Sequence, residues 1–126
     1  MARSYHVDIA QYAADADSKW VDNLLSHYQL PGVESGRQGI ARRISVHGIY
    51  HVALIRHLTT ELDVATARAV ALAGRLLTTD ASHVPVSEGL ELRIDRAAFE
   101  RHVDQAIADA VESVAPARRG RPPLRR

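Results

Sequence analysis

Three arginines, Arg37, Arg42 and Arg43, fall in the glycine-rich stretch Gly32-Val33-Glu34-Ser35-Gly36-Arg37-Gln38-Gly39-Ile40-Ala41-Arg42-Arg43-Ile44-Ser45, opposed locally only by Glu34. Guanidinium groups on a short connection can reach phosphates or guanine edges. His47 and His51 stand four apart on a predicted helix, the spacing of two metal ligands, with His57 further on. Neither a third ligand nor an intervening Glu of a zincin pattern follows, so these residues read as surface or internally satisfied histidines. The chain has no cysteine, which removes disulfides, thiolate metal sites and cysteine nucleophiles together. Ser18, Ser35 and Ser45 have no catalytic partner arrangement, and no phosphate loop, nucleophile elbow or paired carboxylates can be found. Neither enzyme activity nor a cofactor is expected.

The 126 residues have room for one domain with a small appendage, and enough apolar content to bury a core. No apolar run approaches the roughly 20 residues of a membrane span, and Met1-Ala2-Arg3-Ser4 leads into no signal-peptide core. A cytoplasmic location is therefore expected. The formal net charge of +1 conceals an asymmetry: no acid lies beyond Glu112, whereas Arg118, Arg119, Arg121, Arg125 and Arg126 all do. Through Glu112 the chain carries 11 basic and 15 acidic residues, a balance of −4. A protein coating nucleic acid indiscriminately would be basic throughout, so any such binding must be focal.

Periodicity supplies the elements that would position these side chains. Val7 to Ala16 reads as a short helix, and Asp17-Ser18 as the N-cap of a second, Lys19 to Gln29, with Trp20, Val21, Leu24, Leu25 and Tyr28 at helical spacings. Pro31-Gly32 stops that helix, because proline donates no hydrogen bond and glycine permits the turn. Val33, Ile40 and Ile44 around Ser35-Gly36 predict a short β-hairpin. Ser45 caps a largely buried helix to about Glu61, and Asp63 is expected to cap Val64 to Leu77, whose alanines permit close approach. After a polar connection, Val84-Pro85-Val86 and Leu90, Leu92 and Ile94 predict a second hairpin, with Pro85 confining its strand to an edge. Asp95 caps a final helix to about Val114, with Phe99, Val103, Ala106, Ile107, Ala110 and Val114 in one apolar stripe. Such a stripe must pack on its own body or on a second copy. Residues 116–126 hold too little apolar content to fold alone and read as a disordered basic tail.

Taken together, two short helices, a hairpin bearing Arg42-Arg43-Ile44-Ser45, Ile49, Val52, Ile55 and Leu58 at three-residue steps and a further helix after Asp63 resemble a MerR-type winged helix-turn-helix over residues 5 to 77. The resemblance implies DNA binding as a dimer, the second helix in the major groove and the wing on flanking phosphates or minor groove. Carried over by position, Ser18, Lys19 and Asn23 would lie on the exposed side of the recognition helix and Arg37, Arg42 and Arg43 on the wing. This chain departs from the pattern in having one basic residue plus Asp22 on that helix, Ile44 in place of an aromatic after the wing arginine, and no long coiled-coil helix after Leu77. Arg119-Gly120-Arg121-Pro122 resembles the core of an AT-hook, in which glycine lets the backbone approach the A·T minor groove and the arginines enjoy its negative potential. Without the fold, the same residues are a solvated arginine loop and a basic solubilising tail.

The expected fold is therefore mainly α, a winged helix-turn-helix with a short β-hairpin wing over residues 1–78, a hairpin and helix for dimerisation over 79–115, and the tail. The expected function is sequence-selective binding of double-stranded DNA with A·T-rich preference, as a transcriptional regulator or nucleoid-associated factor. The expected homodimer is joined through Phe99, Val103, Ile107, Ala110 and Val114. A rival expectation is an antitoxin or adaptor whose acidic C-terminal helix engages a protein partner and whose DNA contacts are incidental or autoregulatory, because seven acids and three arginines between Glu88 and Glu112 would repel DNA.

Overall fold

The computed structural model describes residues 3–34, 42–78 and 83–119, with side chains except those of 78 and 114–119. Among the described residues five helices dominate: α1 (Val7–Ala14), α2 (Ser18–His27), α3 (Val46–Glu61), α4 (Thr66–Thr78) and α5 (Arg96–Arg119). A three-stranded antiparallel sheet joins β1 (Ser4–His6), β2 (Val33–Glu34) and β3 (Arg43–Ser45) in the order β1-β3-β2. A separate hairpin consists of β4 (His83–Ser87) and β5 (Leu90–Arg93).

Helix α3 is the centre of the core. Its Ile49, Val52, Ala53, Ile55 and Leu58 are buried, and α1, α4 and α5 pack around it. Its start is set locally by Ser45, whose Oγ accepts from the Gly48 N–H at 3.1 Å. The same residue fixes the sheet to the end of the α2 connection, because its own N–H donates to the Gly32 carbonyl at 2.8 Å. Space at this junction is exhausted. Gly32 has φ +81, and a Cβ there would overlap the Ser45 Oγ; a Cβ on Gly48 would stand 2.8 Å from Ile44 Cγ1 and 3.0 Å from the Pro31 carbonyl oxygen.

Four of the sequence expectations need correction. The N-terminal strand β1 was not anticipated; it pairs with β3 from Ser4 opposite Ser45 to His6 opposite Arg43, so β3 is a central strand rather than one arm of a lone hairpin. Helix α4 starts at Thr66 and Asp63 is not its cap: Asp63 lies in the left-handed region at φ 54, whereas an N-cap needs extended backbone. Helix α5 runs on to Arg119, past the expected end near Val114 and into the segment expected to be disordered. The extension includes Pro116, which lacks the N–H that a continuing helix uses, and nothing in the structure explains it.

The fourth concerns the stripe itself. Val103, Ile107 and Ala110 are buried within the chain, in one core with Ile9, Ala10 and Ala14 of α1. Phe99 packs edge-on against Tyr50 and His57, each ring 6.3 Å away. The side chain of Val114 lies outside those described. The apolar side expected to form a dimer interface is thus consumed by α1 and α3, and α1 packs its inward face between α5 and α3. A hydrogen bond reinforces the packing: the Tyr50 hydroxyl donates to Asp104 Oδ1 at 2.6 Å.

Replacing Gly48 with Ala tests the junction. Helix propensity alone favours alanine by about 1 kcal/mol, but the overlap with a fully buried Ile44 and a backbone carbonyl reverses the sign. Urea denaturation should show Gly48→Ala destabilised by about 1–2 kcal/mol; a gain in stability would mean that the three elements do not constrain one another there.

Candidate nucleic-acid interface

Helix α2 is capped by Asp17, whose Oδ1 accepts from the Trp20 N–H at 2.7 Å. It buries Val21 and Leu24, and Trp20 is held by the Arg56 guanidinium of α3, 4.9 Å from the ring centroid. This cation–π contact joins the start of α2 to the central helix. The opposite half is exposed and carries Ser18, Asp22 and Ser26 along one edge and Lys19, Asn23 and His27 along the other, each set at steps of four.

The first edge is already engaged. Arg42, just before β3, donates from Nη2 to Ser26 Oγ at 3.1 Å, and its Nη1 lies 3.7 Å from Asp22 Oδ1. The guanidinium therefore offsets the acid that would otherwise repel a polyanion from α2. Both groups remain partly solvated, so the pair is worth less than about 1 kcal/mol in stability. Its larger effect is to join the hairpin and the helix into one surface. Arg43 turns to the other side of the sheet, donating from Nη2 to the Ser4 carbonyl at 2.7 Å and from Nε to Ser4 Oγ at 3.3 Å.

The second edge exposes Lys19, Asn23 and His27. His27 Nδ1 lies 2.8 Å from the Asn23 carbonyl, and since a carbonyl only accepts, Nδ1 carries the proton and a neutral ring keeps Nε2 as an acceptor. The structure thus brings Ser18, Lys19, Asn23 and Arg42 onto one side of the molecule and sets Arg43 against β1. Arg37, Gly120, Arg121 and Pro122, together with the turn expected at Ser35-Gly36, lie outside the described residues; Arg119 is described in its backbone alone. Sequence reasoning missed Ser26, His27 and Ser4 as participants. The four-residue steps from Asp22 to Ser26 and from Asn23 to His27 were the available signals, whereas nothing local connects Ser4 with Arg43.

The histidine pair packs ring against ring on α3. His51 is buried, its Nδ1 donates to the His47 carbonyl at 3.0 Å, and its Nε2 meets no hydrogen-bond partner among the described residues. The His47 ring stands edge-on to it with centroids 4.7 Å apart. Among the described residues no three His, Cys, Asp or Glu side chains gather as a metal site would require. Burial holds the His51 ring below its ordinary pKa, and the opposing pull of the His47 carbonyl is smaller. Burial, then the neighbouring Asp104 carboxylate, pushes the Tyr50 hydroxyl up.

Comparison of the chain with protein-family models, with curated proteins and with solved structures finds no match.

The His51 shift has a definite sign. The folded chain disfavours the charged ring, so below the ordinary histidine value near 6.5 the unfolded chain binds more protons, and stability falls with falling pH. His51→Leu should remove this contribution. Chemical denaturation of both chains from pH 8 to 5 should show the wild type losing up to about 1.4 kcal/mol per pH unit more than the variant below about 6.5; parallel curves would rule it out.

Proposed function

We propose that the chain binds double-stranded DNA as a winged helix-turn-helix, serving as a transcriptional regulator or nucleoid-associated factor. In this reading α2 is the recognition helix, α1 supports it across a short turn, and the β2–β3 hairpin is the wing. The observation that carries the proposal is the composite surface of α2 and Arg42: an exposed half-helix of short polar side chains whose one acid is offset by an arginine from the neighbouring strand. A helix of this kind fits the major groove, where Lys19 reaches phosphate or guanine, Asn23 pairs with adenine, and His27 Nε2 accepts from a base amino group. Arg43, whose guanidinium is bonded to Ser4, would have to leave β1 to contact the flanking backbone. Arg119-Gly120-Arg121-Pro122 would add contacts in an adjacent A·T-rich minor groove.

Charge favours a focal contact over general coating, since acids outnumber basic residues through Glu112. The rival, an antitoxin or adaptor whose acidic C-terminal helix engages a protein partner and whose DNA contacts are autoregulatory, keeps Asp104, Asp109 and Glu112 exposed on α5, and the titration below separates the two.

A fluorescence titration with labelled duplex at about 100 mM salt tests the reading, and absence of binding would overturn it. Asp22→Asn should strengthen binding to random-sequence duplex by roughly 3-fold to 10-fold, because one repulsive charge is removed from the contact. Lys19→Ala should flatten the dependence of log affinity on log salt by about 0.9, the value of one phosphate contact. In a selection from a random duplex pool, Asn23→Ala should relax preference at one position by about 1–3 kcal/mol. Truncation after Ala115 should weaken A·T-rich duplexes selectively; equal loss on G·C-rich DNA would make the tail a general basic arm.

A further inference from the structure

The two hairpin strands have very different outer edges. On β4, Pro85 lacks an N–H and the pairing register shifts between Pro85 and Ser87, so no continuous ladder can be added there. On β5, Leu90-Glu91-Leu92-Arg93 is a regular strand with neither proline nor bulge, and β4 is its one ladder partner among the described residues. Leu92 and the following Ile94 lean on the core, whereas Leu90 is 58% exposed and Val86 37%. Among the described residues the turn end of the hairpin therefore overhangs the body and leaves an apolar ledge uncovered beside an unpaired strand edge.

We infer that the free edge of β5 pairs antiparallel with β5 of a second copy of this chain, with Leu92 on the two-fold axis, making a continuous four-stranded sheet. Charge selects both partner and register. With Leu92 opposite Leu92, Glu91 of each copy faces Arg93 of the other, and the exposed Leu90 of each lies opposite Ile94 of the other on the body-facing side. Sliding by one residue puts leucine opposite charge and sends the two bodies to opposite faces. Other slides that keep the bodies together set Glu91 against Glu91 or Arg93 against Arg93. A single isologous register thus satisfies charge and apolar cover together. In the lone chain Arg93 Nη2 sits 2.8 Å from Glu91 Oε2 and His83 Nε2 lies 3.9 Å from Glu91 Oε1; the Arg93 and Glu91 side chains are 63% and 45% exposed, so the exchange from an intrastrand to an interstrand pair starts from no buried charge. Edge strands that avoid self-association carry like charges or proline; β4 has the proline, and β5 has alternating signs that invite a copy of itself. The inference does not depend on DNA binding, and its test is read without DNA.

The experiment is sedimentation equilibrium of the full chain from micromolar to about 1 mM, with circular dichroism to verify helix content of each variant. The wild type should pass from monomer to dimer over this range. Glu91→Arg makes both pairs Arg–Arg and Arg93→Glu makes both Glu–Glu; each alone should dimerise about 10-fold more weakly. Mixed in equal amounts, the two variants should recover dimer as a heterodimer, and the double swap Glu91→Arg with Arg93→Glu should recover it as a homodimer. A wild type monomeric at the highest concentration, single reversals that dimerise like the wild type, or a mixture without recovery would each overturn the proposal.

Discussion

The arrangement of the candidate interface depends on one crowded junction, where Gly32, Ser45 and Gly48 meet without room for a Cβ on either glycine. Ser45 acts in three directions there: its N–H holds the end of the α2 connection, its Oγ starts α3, and its strand pairs with β1. Because these are short, directional contacts, moving α3 relative to the sheet would break a backbone hydrogen bond as well as a cap. The sheet, the exit from α2 and the central helix are therefore set together, and the exposed side of α2 inherits its position from the core.

Two cations then refine that position. Arg56 holds Trp20 near the start of α2, and Arg42 grips Asp22 and Ser26 further along its outer edge. One contact comes from the central helix and the other from the hairpin, so the ten-residue α2 is steadied on two sides although it buries little. Neither contact contributes much to stability at the surface. Their consequence is geometric: they present Lys19, Asn23 and His27 on a fixed edge and offset Asp22, the acid within α2.

The far side of the molecule follows a different constraint. Helix α1 is short, and its small inward residues Ala10 and Ala14 allow α5 to approach closely and bury Val103, Ile107 and Ala110. Once that side of α5 is spent inside the chain, Leu90 and Val86 of the overhanging hairpin remain exposed, as do Tyr12, Leu62 and Val111 elsewhere among the described residues. A stripe of this strength on a terminal helix looks alike in sequence whether it closes a fold or joins two copies. The distinction rests on whether another element of the same chain offers a complementary face.

Local signals determined most of the element map. Asp17, Ser45 and Asp95 act as the helix caps their positions indicate, and alternation around Glu88-Gly89 marks the second hairpin, because each signal acts within three or four residues, whereas α2 stops at His27, short of the expected Gln29 and ahead of Pro31. The exposed placement of Ser18, Lys19 and Asn23 also follows from period, since Val21 and Leu24 can only point inward together. Only the tertiary structure decided what those patterns meet. The pairing of β1 with β3 spans about forty residues and leaves no periodic mark in three residues of strand, so β1 was illegible. Arg42 read as a residue for a partner, yet its guanidinium lies on Asp22 and Ser26 of its own chain, a choice made by the hairpin's angle to α2. Asp63 sits where the chain must turn between two packed helices, and its left-handed backbone overrides its preference for capping. Side-chain type and spacing fix which surfaces must be covered; the packing of distant elements fixes what covers them.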